Sequence, residues 1–132
     1  MPSMADIIVK KNDGTTNITY TAMVASAGDK SQAIWRSTTV GTAAAHQPEL
    51  RMTSRANGTG TARRVDIHFS YPSTAVGSDG KTNIIERGVF DCSAVVPQGM
   101  PATDLNEYVS QGLNLLASSL VNGSMKVGFA PT

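Results

Sequence analysis

Two stretches of strict alternation flanking one turn constrain this chain more than anything else in it. Leu50, Met52, Ser54 and Ala56 alternate with Arg51, Thr53 and Arg55. Beyond Asn57-Gly58-Thr59-Gly60, Val65, Ile67, Phe69 and Tyr71 alternate with Arg64, Asp66, His68 and Ser70. A period of two places successive side chains on opposite faces of a strand, and the Asn/Gly-rich break between the two runs is hairpin chemistry. The stretch therefore predicts two long antiparallel strands with one apolar face and one polar face. The polar face fits ordinary solvation, and it equally fits a platform that holds something anionic.

The remaining elements follow from local signals. Asp6 to Lys11 and Thr15 to Val24 flank Asn12-Asp13-Gly14, which predicts a strand pair. Ser31 to Val40 is a third strand centred on Ile34 and Trp35, and "GTAAAHQP" is a connection closed by Pro48. Pro72 to Thr82 reads as a polar, Gly-rich loop, long for a connection between neighbouring strands, and a last strand runs from about Asn83 to Val96 and ends at Pro97. After Pro97 the period becomes helical. Thr103 or Asp104 is placed to cap, Glu107 falls in the first turn, and Leu105, Tyr108, Val109, Leu113, Leu116 and Leu120 share one face up to a stop at Asn122-Gly123. A second short helical turn is expected near Ser124 to Val127. The order is α+β: an antiparallel β-sheet of about five to seven strands over residues 5–97, then one or two helices over residues 103–127, in a single domain spanning 1–132.

That order leaves a deficit of cover. A helix of about seventeen residues spans roughly 25 Å, whereas six strands spaced at about 4.8 Å make a sheet of comparable width and much greater area. One chain cannot bury the apolar face it builds, so a second copy is the simplest cover, and the expected state is a homodimer.

The chemistry on offer excludes several function classes. The 132 residues carry a formal net charge of +1 with 16% charged and 40% hydrophobic residues, which describes a folded chain without a polybasic tail; polyanion binding would need local clustering or many copies together. Cys92 is the only cysteine and excludes an intrachain disulfide. It shares its parity with Phe90, Ala94 and Val96, which favours a buried thiol over a nucleophile. His46 and His68 have no partner at metal-ligand spacing, and no phosphate-binding loop or nucleophile-elbow motif occurs. No cofactor or metal is expected, and no enzyme. His46 lies in the Gly/Ala/Pro connection and is expected to be solvated. Asp66 and Asp91 could meet as an acid/base pair, although polar strand residues are more often simple surface residues. The start "MPSMADIIVKKNDG" lacks the charge and apolar pattern of a signal peptide, and no run approaches a membrane span, so a soluble, unsecreted protein without membrane contact is expected. The N-x-[ST] matches at Asn17, Asn57 and Asn122 are expected by chance in a chain rich in Ser and Thr.

A short hairpin, a strand carrying tryptophan, two long alternating strands, a loop, a last strand ending in proline and a C-terminal helix form an order that resembles the coat proteins of single-stranded RNA bacteriophages of the levivirus type. "RRVDIHFSYP", "FDCSAVVP" and "LNEYVSQGLNLLASSLVNG" carry the likeness, which is clearest from Leu50 to Gly123. The resemblance implies an intertwined homodimer with one continuous sheet, helices that clasp the partner, and an icosahedral virion shell assembled in the bacterial host cytoplasm. It also implies that the polar sheet face lines the shell interior and holds a hairpin of the genomic RNA, an interaction that in the family represses translation. Carried over position by position, Arg51, Thr53, Arg55, Asp66, His68, Arg87, Val89 and Asp91 fall at inward, RNA-facing positions. Val89 stands where better-known members stack an aromatic on a base, and Asp66 and Asp91 lie beside it, so genome contact is expected rather than a copy of the known high-affinity hairpin complex. The loop Pro72 to Thr82 corresponds to the one that meets its symmetry mates. The competing reading is a small cytosolic α+β homodimeric ligand-binding protein or enzyme with a pocket around Asp66, His68 and Asp91.

Overall fold

A computed structural model describes residues 2–39 and 43–132 of the chain. The expected end of the third strand at Val40, and Gly41 and Thr42 of the following connection, lie outside the described residues. Two compact units divide at Val96 and Pro97.

The first unit is an antiparallel meander. Its strands are β1 (Ile7–Lys10), β2 (Asn17–Val24), β3 (Ala33–Arg36), β4 (Glu49–Ala56), β5 (Ala62–Val76) and β6 (Thr82–Pro97), arranged in the order β1-β2-β3-β4-β5-β6. A short 3-10 turn, η1 (Ala44–His46), lies between β3 and β4 and packs on β5. The first hairpin closes where the sequence predicts. Gly14 takes the left-handed φ of +73° that its turn needs, and the Asp13 carboxylate accepts from the Thr15 and Thr16 backbone N–H groups at 2.9 and 2.8 Å. In the second hairpin Asn57 N–H donates to the Ala62 carbonyl at 2.9 Å and Gly60 sits at φ +71°. Between Ala22 and Val24 the β2–β3 register slips, and Asp6 Oδ1 accepts from the Ala22 N–H at 2.8 Å beside the irregularity.

The apolar parity of the strands forms the core. Trp35 pairs with Ala22 and Leu50, Leu50 pairs with Phe69, and Ala33 pairs with Met52, so these side chains occupy one face. Tyr20, Ala33 and Trp35 are its buried centre, with Met4, Ile7, Ile18, Ala22, Leu50, Met52 and Phe69 packed around them. Tyr20 meets Phe69 edge-on with ring centroids 5.9 Å apart. This is a small nucleus. Ala62, Pro48 and Pro72 are buried outside that cluster, while Ile85, Val89, Val95 and Tyr71 remain exposed on β5 and β6.

Two expectations for the sheet are corrected. β3 spans four residues, shorter than Ser31 to Val40. The Pro72 to Thr82 segment is not a long loop: β5 continues through Val76 and β6 starts at Thr82, leaving a tight turn over Gly77 to Lys81. Gly77 N–H donates to the Lys81 carbonyl at 2.8 Å, and Gly80 carries the positive φ of +77°. Ladder bonds are made by backbone, so the polar, small residues Ser73 to Ala75 extend the strand despite showing no alternation.

The second unit holds α1 (Ala102–Leu116) and α2 (Ser119–Val127). Pro101 occupies the N-cap of α1 without a side-chain hydrogen bond, so neither Thr103 nor Asp104 caps it; both lie inside the helix, with Asp104 as the first-turn acid. Glu107 instead accepts from Gln111 Nε2 at 2.7 Å, one turn on. The expected single helix up to Asn122-Gly123 is interrupted at Ala117-Ser118. Ser118 caps α2 by accepting from the Val121 N–H, Leu120 therefore belongs to α2, and Asn122-Gly123 lies within that helix. The stop is Gly128 at φ +80°, with the Gly128 and Phe129 N–H groups both returning to the Ser124 carbonyl. Neither helix contains a buried residue within one chain, and Leu113, Leu115, Leu120 and Val127 are each more than half exposed.

Candidate functional site

The polar parity of β3 to β6 forms a second, charged face on the sheet. Arg51 stands opposite His68, Thr53 opposite Asp66, and Arg55 opposite Arg64, while Arg36 stands opposite Glu49. Opposed residues share a face, so strand register alone collects these groups. Contacts from β6 extend the set in antiparallel steps: Ser93 meets Asp66, Asp91 meets His68, and Gly88 lies near the Tyr71 backbone. The centre is an open concavity of about 850 Å³ whose walls include Arg36, Glu49, Arg51, Asp66, His68 and Arg87.

Its electrostatics are those of bridged charges. Glu49 accepts from Arg36 Nη2 at 2.7 Å and from Arg51 Nε, and Arg51 Nη1 donates to Gln32 Oε1 at 3.0 Å. Partial burial pushes the Glu49 carboxyl up, but the Arg36 and Arg51 hydrogen bonds outweigh it and hold the group below its ordinary value. Asp66 occupies the equivalent place between Arg64, at 3.0 Å, and Arg55, at 3.8 Å, and so separates two arginines that the register opposes directly. The Ser93 hydroxyl, which donates to Asp66 Oδ1, lowers that carboxyl most, and Arg64 lowers it further. His68 Nδ1 lies 2.6 Å from Asp91 Oδ1. Arg87 Nη2 reaches the Ala45 carbonyl of η1 at 3.4 Å.

Of the residues singled out from the sequence, Arg51, Thr53, Asp66, His68, Arg87 and Asp91 line the concavity together, and Arg55 adjoins it through Asp66. Val89 follows the parity of Arg87 and Asp91, is 55% exposed, and does not line it. Asp66 and Asp91 do not pair as acid and base, because Asp66 is engaged by Arg64 and Ser93 and Asp91 by the His68 ring. Cys92 is half-buried, and His46 is half-buried in η1 rather than fully solvated. Arg36, Glu49, Gln32 and Ser93 went unread as parts of the site. Glu49 and Ser93 carry the right parity, but Arg36 and Gln32 arrive only through the β3–β4 register.

Chemically, the face is a set of guanidinium forks pinned by carboxylates. Arg51, Arg55 and Arg64 remain nearly half exposed, and each has more N–H donors than its bridges consume. Arg36, Arg51, Arg55, Arg64 and Arg87 outnumber Glu49, Asp66 and Asp91, so the face is net cationic in a chain that is nearly neutral. Among the described residues, no group of three or more His, Cys, Asp and Glu is placed to hold a metal ion.

No protein-family model matches the chain, and no curated protein sequence matches it. Solved structures do. The virus-like particle of bacteriophage NT-214 is similar with a TM-score of 0.83 at 17% identity, over 99% of this chain and 100% of that one. The virus-like particle of Beihai levi-like virus 21 gives 0.82 at 16% identity over 99% and 98%, and the bacteriophage GA protein capsid gives 0.73 at 15% over 96% and 95%. Six antiparallel strands followed by two helices, matched end to end, give this chain the coat-protein fold found in the particles of levi-like bacteriophages.

Proposed function

We propose that this chain is the coat protein of a levivirus-type RNA bacteriophage, a structural protein and not an enzyme, which assembles as homodimers into an icosahedral virion shell and holds genomic RNA on its charged sheet face. The observation that carries the proposal is the end-to-end likeness to subunits of virus-like particles, which takes in 100% and 98% of two of the chains named above. The exposed apolar surface supports it. A chain whose two helices contain no buried residue, and whose sheet buries only a handful of apolar side chains among the described residues, must hide its remaining apolar area against other copies.

RNA is the partner that suits the other face. Phosphates match guanidinium forks on a rigid sheet, and Thr53 offers a hydroxyl to base edges or sugars. Repression of translation through an RNA hairpin belongs to the same reading, since it asks only that the face prefer one hairpin over the rest of the RNA. The competing ligand-binding or enzymatic reading fares worse. Its concavity is open and walled by ion pairs, whereas small-molecule sites are enclosed and mostly apolar. No described helix is long and apolar enough to cross a membrane.

Electron microscopy of the purified recombinant protein, with nucleic acid extracted from the same sample, tests the proposal. Closed hollow particles containing RNA are expected. A small homodimer with no particles under any assembly condition would return the ligand-binding reading to first place.

A further inference from the structure

Among the described residues, His68 and Asp91 form the one pair on the charged face that includes a histidine. Their side chains, 45% and 73% exposed, meet at 2.6 Å between β5 and β6. The other ion pairs of this face join arginines to carboxylates and keep their charges near neutral pH. We infer that His68 is a proton-linked regulator of RNA binding: the face binds RNA more tightly when His68 is protonated, and RNA binding draws a proton onto it. The inference rests on the reading of this face as the RNA-binding surface.

The surroundings decide the sign. Arg51 stands opposite His68 on β4, and its charge is shared with Glu49. Asp66 and Arg64 on β5 largely cancel, with Arg55 of β4 also turned toward Asp66. On β6 Arg87 is directed to the η1 backbone, and η1, which packs on β5, adds His46. Asp91 is the charge in direct contact with the ring. Bound phosphates would bring further negative charge to the ring, which favours an imidazolium in the complex. By linkage, whatever raises the proton affinity of His68 in the complex must raise RNA affinity as the pH falls. A shell repeats the pair in every subunit, so one proton per chain becomes a large change in interior charge.

The test measures the affinity of the purified chain for a fluorescein-labelled RNA hairpin at about pH 6 and about pH 8, the range in which histidine titrates, across a salt series. Affinity should rise toward acid by up to about tenfold per pH unit for each linked proton. The salt slope should steepen at the lower pH as one more phosphate is neutralised per imidazolium. His68→Gln should remove both effects, and His46→Gln should leave both in place. Equal wild-type affinity at the two pH values would overturn the inference, as would pH dependence surviving in His68→Gln. Absence of RNA binding at either pH would overturn the RNA-binding reading itself, and the linkage with it.

Discussion

Trp35 donates its indole N–H to the Ala5 carbonyl at 2.8 Å and thereby ties the segment before β1 to the apolar face of the sheet. The ring is itself buried with Tyr20 and Ala33 in the small core. Trp35→Phe keeps most of the ring and loses the bond, which should cost about 1 kcal/mol plus a smaller packing loss. Trp35→Ala should cost about 3–5 kcal/mol. Urea midpoints at one fixed protein concentration check this, because association would otherwise shift them. Equal losses for both variants would show that the bond, and not the packing, holds the core.

Acid should loosen the charged face through its carboxylates. Glu49 and Asp66 are held below their ordinary values in the folded chain, so each contributes stability that is present above the unfolded value of about 4 and is lost as pH falls through the lower folded value. Asp13, held at about 2 first by the Thr16 hydroxyl and then by the Thr16 and Thr15 backbone N–H groups, extends the same loss to lower pH. Glu49→Gln should therefore be less stable than the parent at neutral pH and lose less on acidification between about pH 5 and pH 3. Parallel stability curves for the two proteins would remove Glu49 from the linkage.

The hairpins were legible in the sequence because their turns need residues that only Gly supplies cheaply, at Gly14 and Gly60. The polar face was legible because a period of two survives any register. What escaped was decided by backbone or by distant chain. Ser73 to Ala75 look like loop, yet ladder bonds carry them into β5. Leu113, Leu116 and Leu120 keep helical spacing across a real break, because periodicity does not register the Ser118 cap that restarts the helix. Within the face, alternation placed Arg51 and Asp66 correctly but not their bridges. Arg36 and Ser93 reach Glu49 and Asp66 from strands whose offset no local pattern encodes.

Leu113 is 54% exposed on α1, a helix with no buried residue in one chain. In a dimer that covers this helix, Leu113→Asp would place an unpaired carboxylate in an apolar contact, at a cost of several kcal/mol. Soluble dimer should fail to form, as judged by light scattering of the expressed protein. A monodisperse, well-folded monomer at micromolar concentration, for parent or variant, would show that the helices need no partner.

The tight turn over Gly77 to Lys81 joins the two longest strands, and Val76 beside it is 71% exposed. In the shell reading this turn meets neighbouring dimers. Deleting Ser78 to Lys81 should leave the dimer folded, since the core cluster draws on β1 to β5 and not on the turn, and should alter or abolish particles. Size-exclusion chromatography reports the dimer and electron microscopy the particles. Particles of unchanged size and yield would mean that the turn makes no contact between dimers.

Arg51 and Arg55 share one parity on β4 and point to the same face, Arg51 held by Glu49 and Gln32 and Arg55 beside Asp66. Glu49 and Gln32 fix the Arg51 guanidinium by hydrogen bonds, while Arg55 lies at ion-pair distance from Asp66; both leave donors free, so phosphates can bind without displacing Glu49 or Asp66. The double variant Arg51→Ala, Arg55→Ala should still dimerise, because both side chains are nearly half exposed and lie outside the core. Its RNA affinity should fall. Each phosphate that goes unneutralised should also flatten the dependence of log affinity on log salt by about 0.7 for single-stranded RNA and up to about 0.9 for a duplex stem. Thr53→Ala should instead leave the salt slope unchanged and alter the preference among hairpins, as expected if its hydroxyl reads a base. Filter binding over a salt series separates the two effects. Unchanged affinity and slope in the arginine double variant would show that the charged face meets only water, and the RNA-binding half of the proposal would fall even if the particles were real.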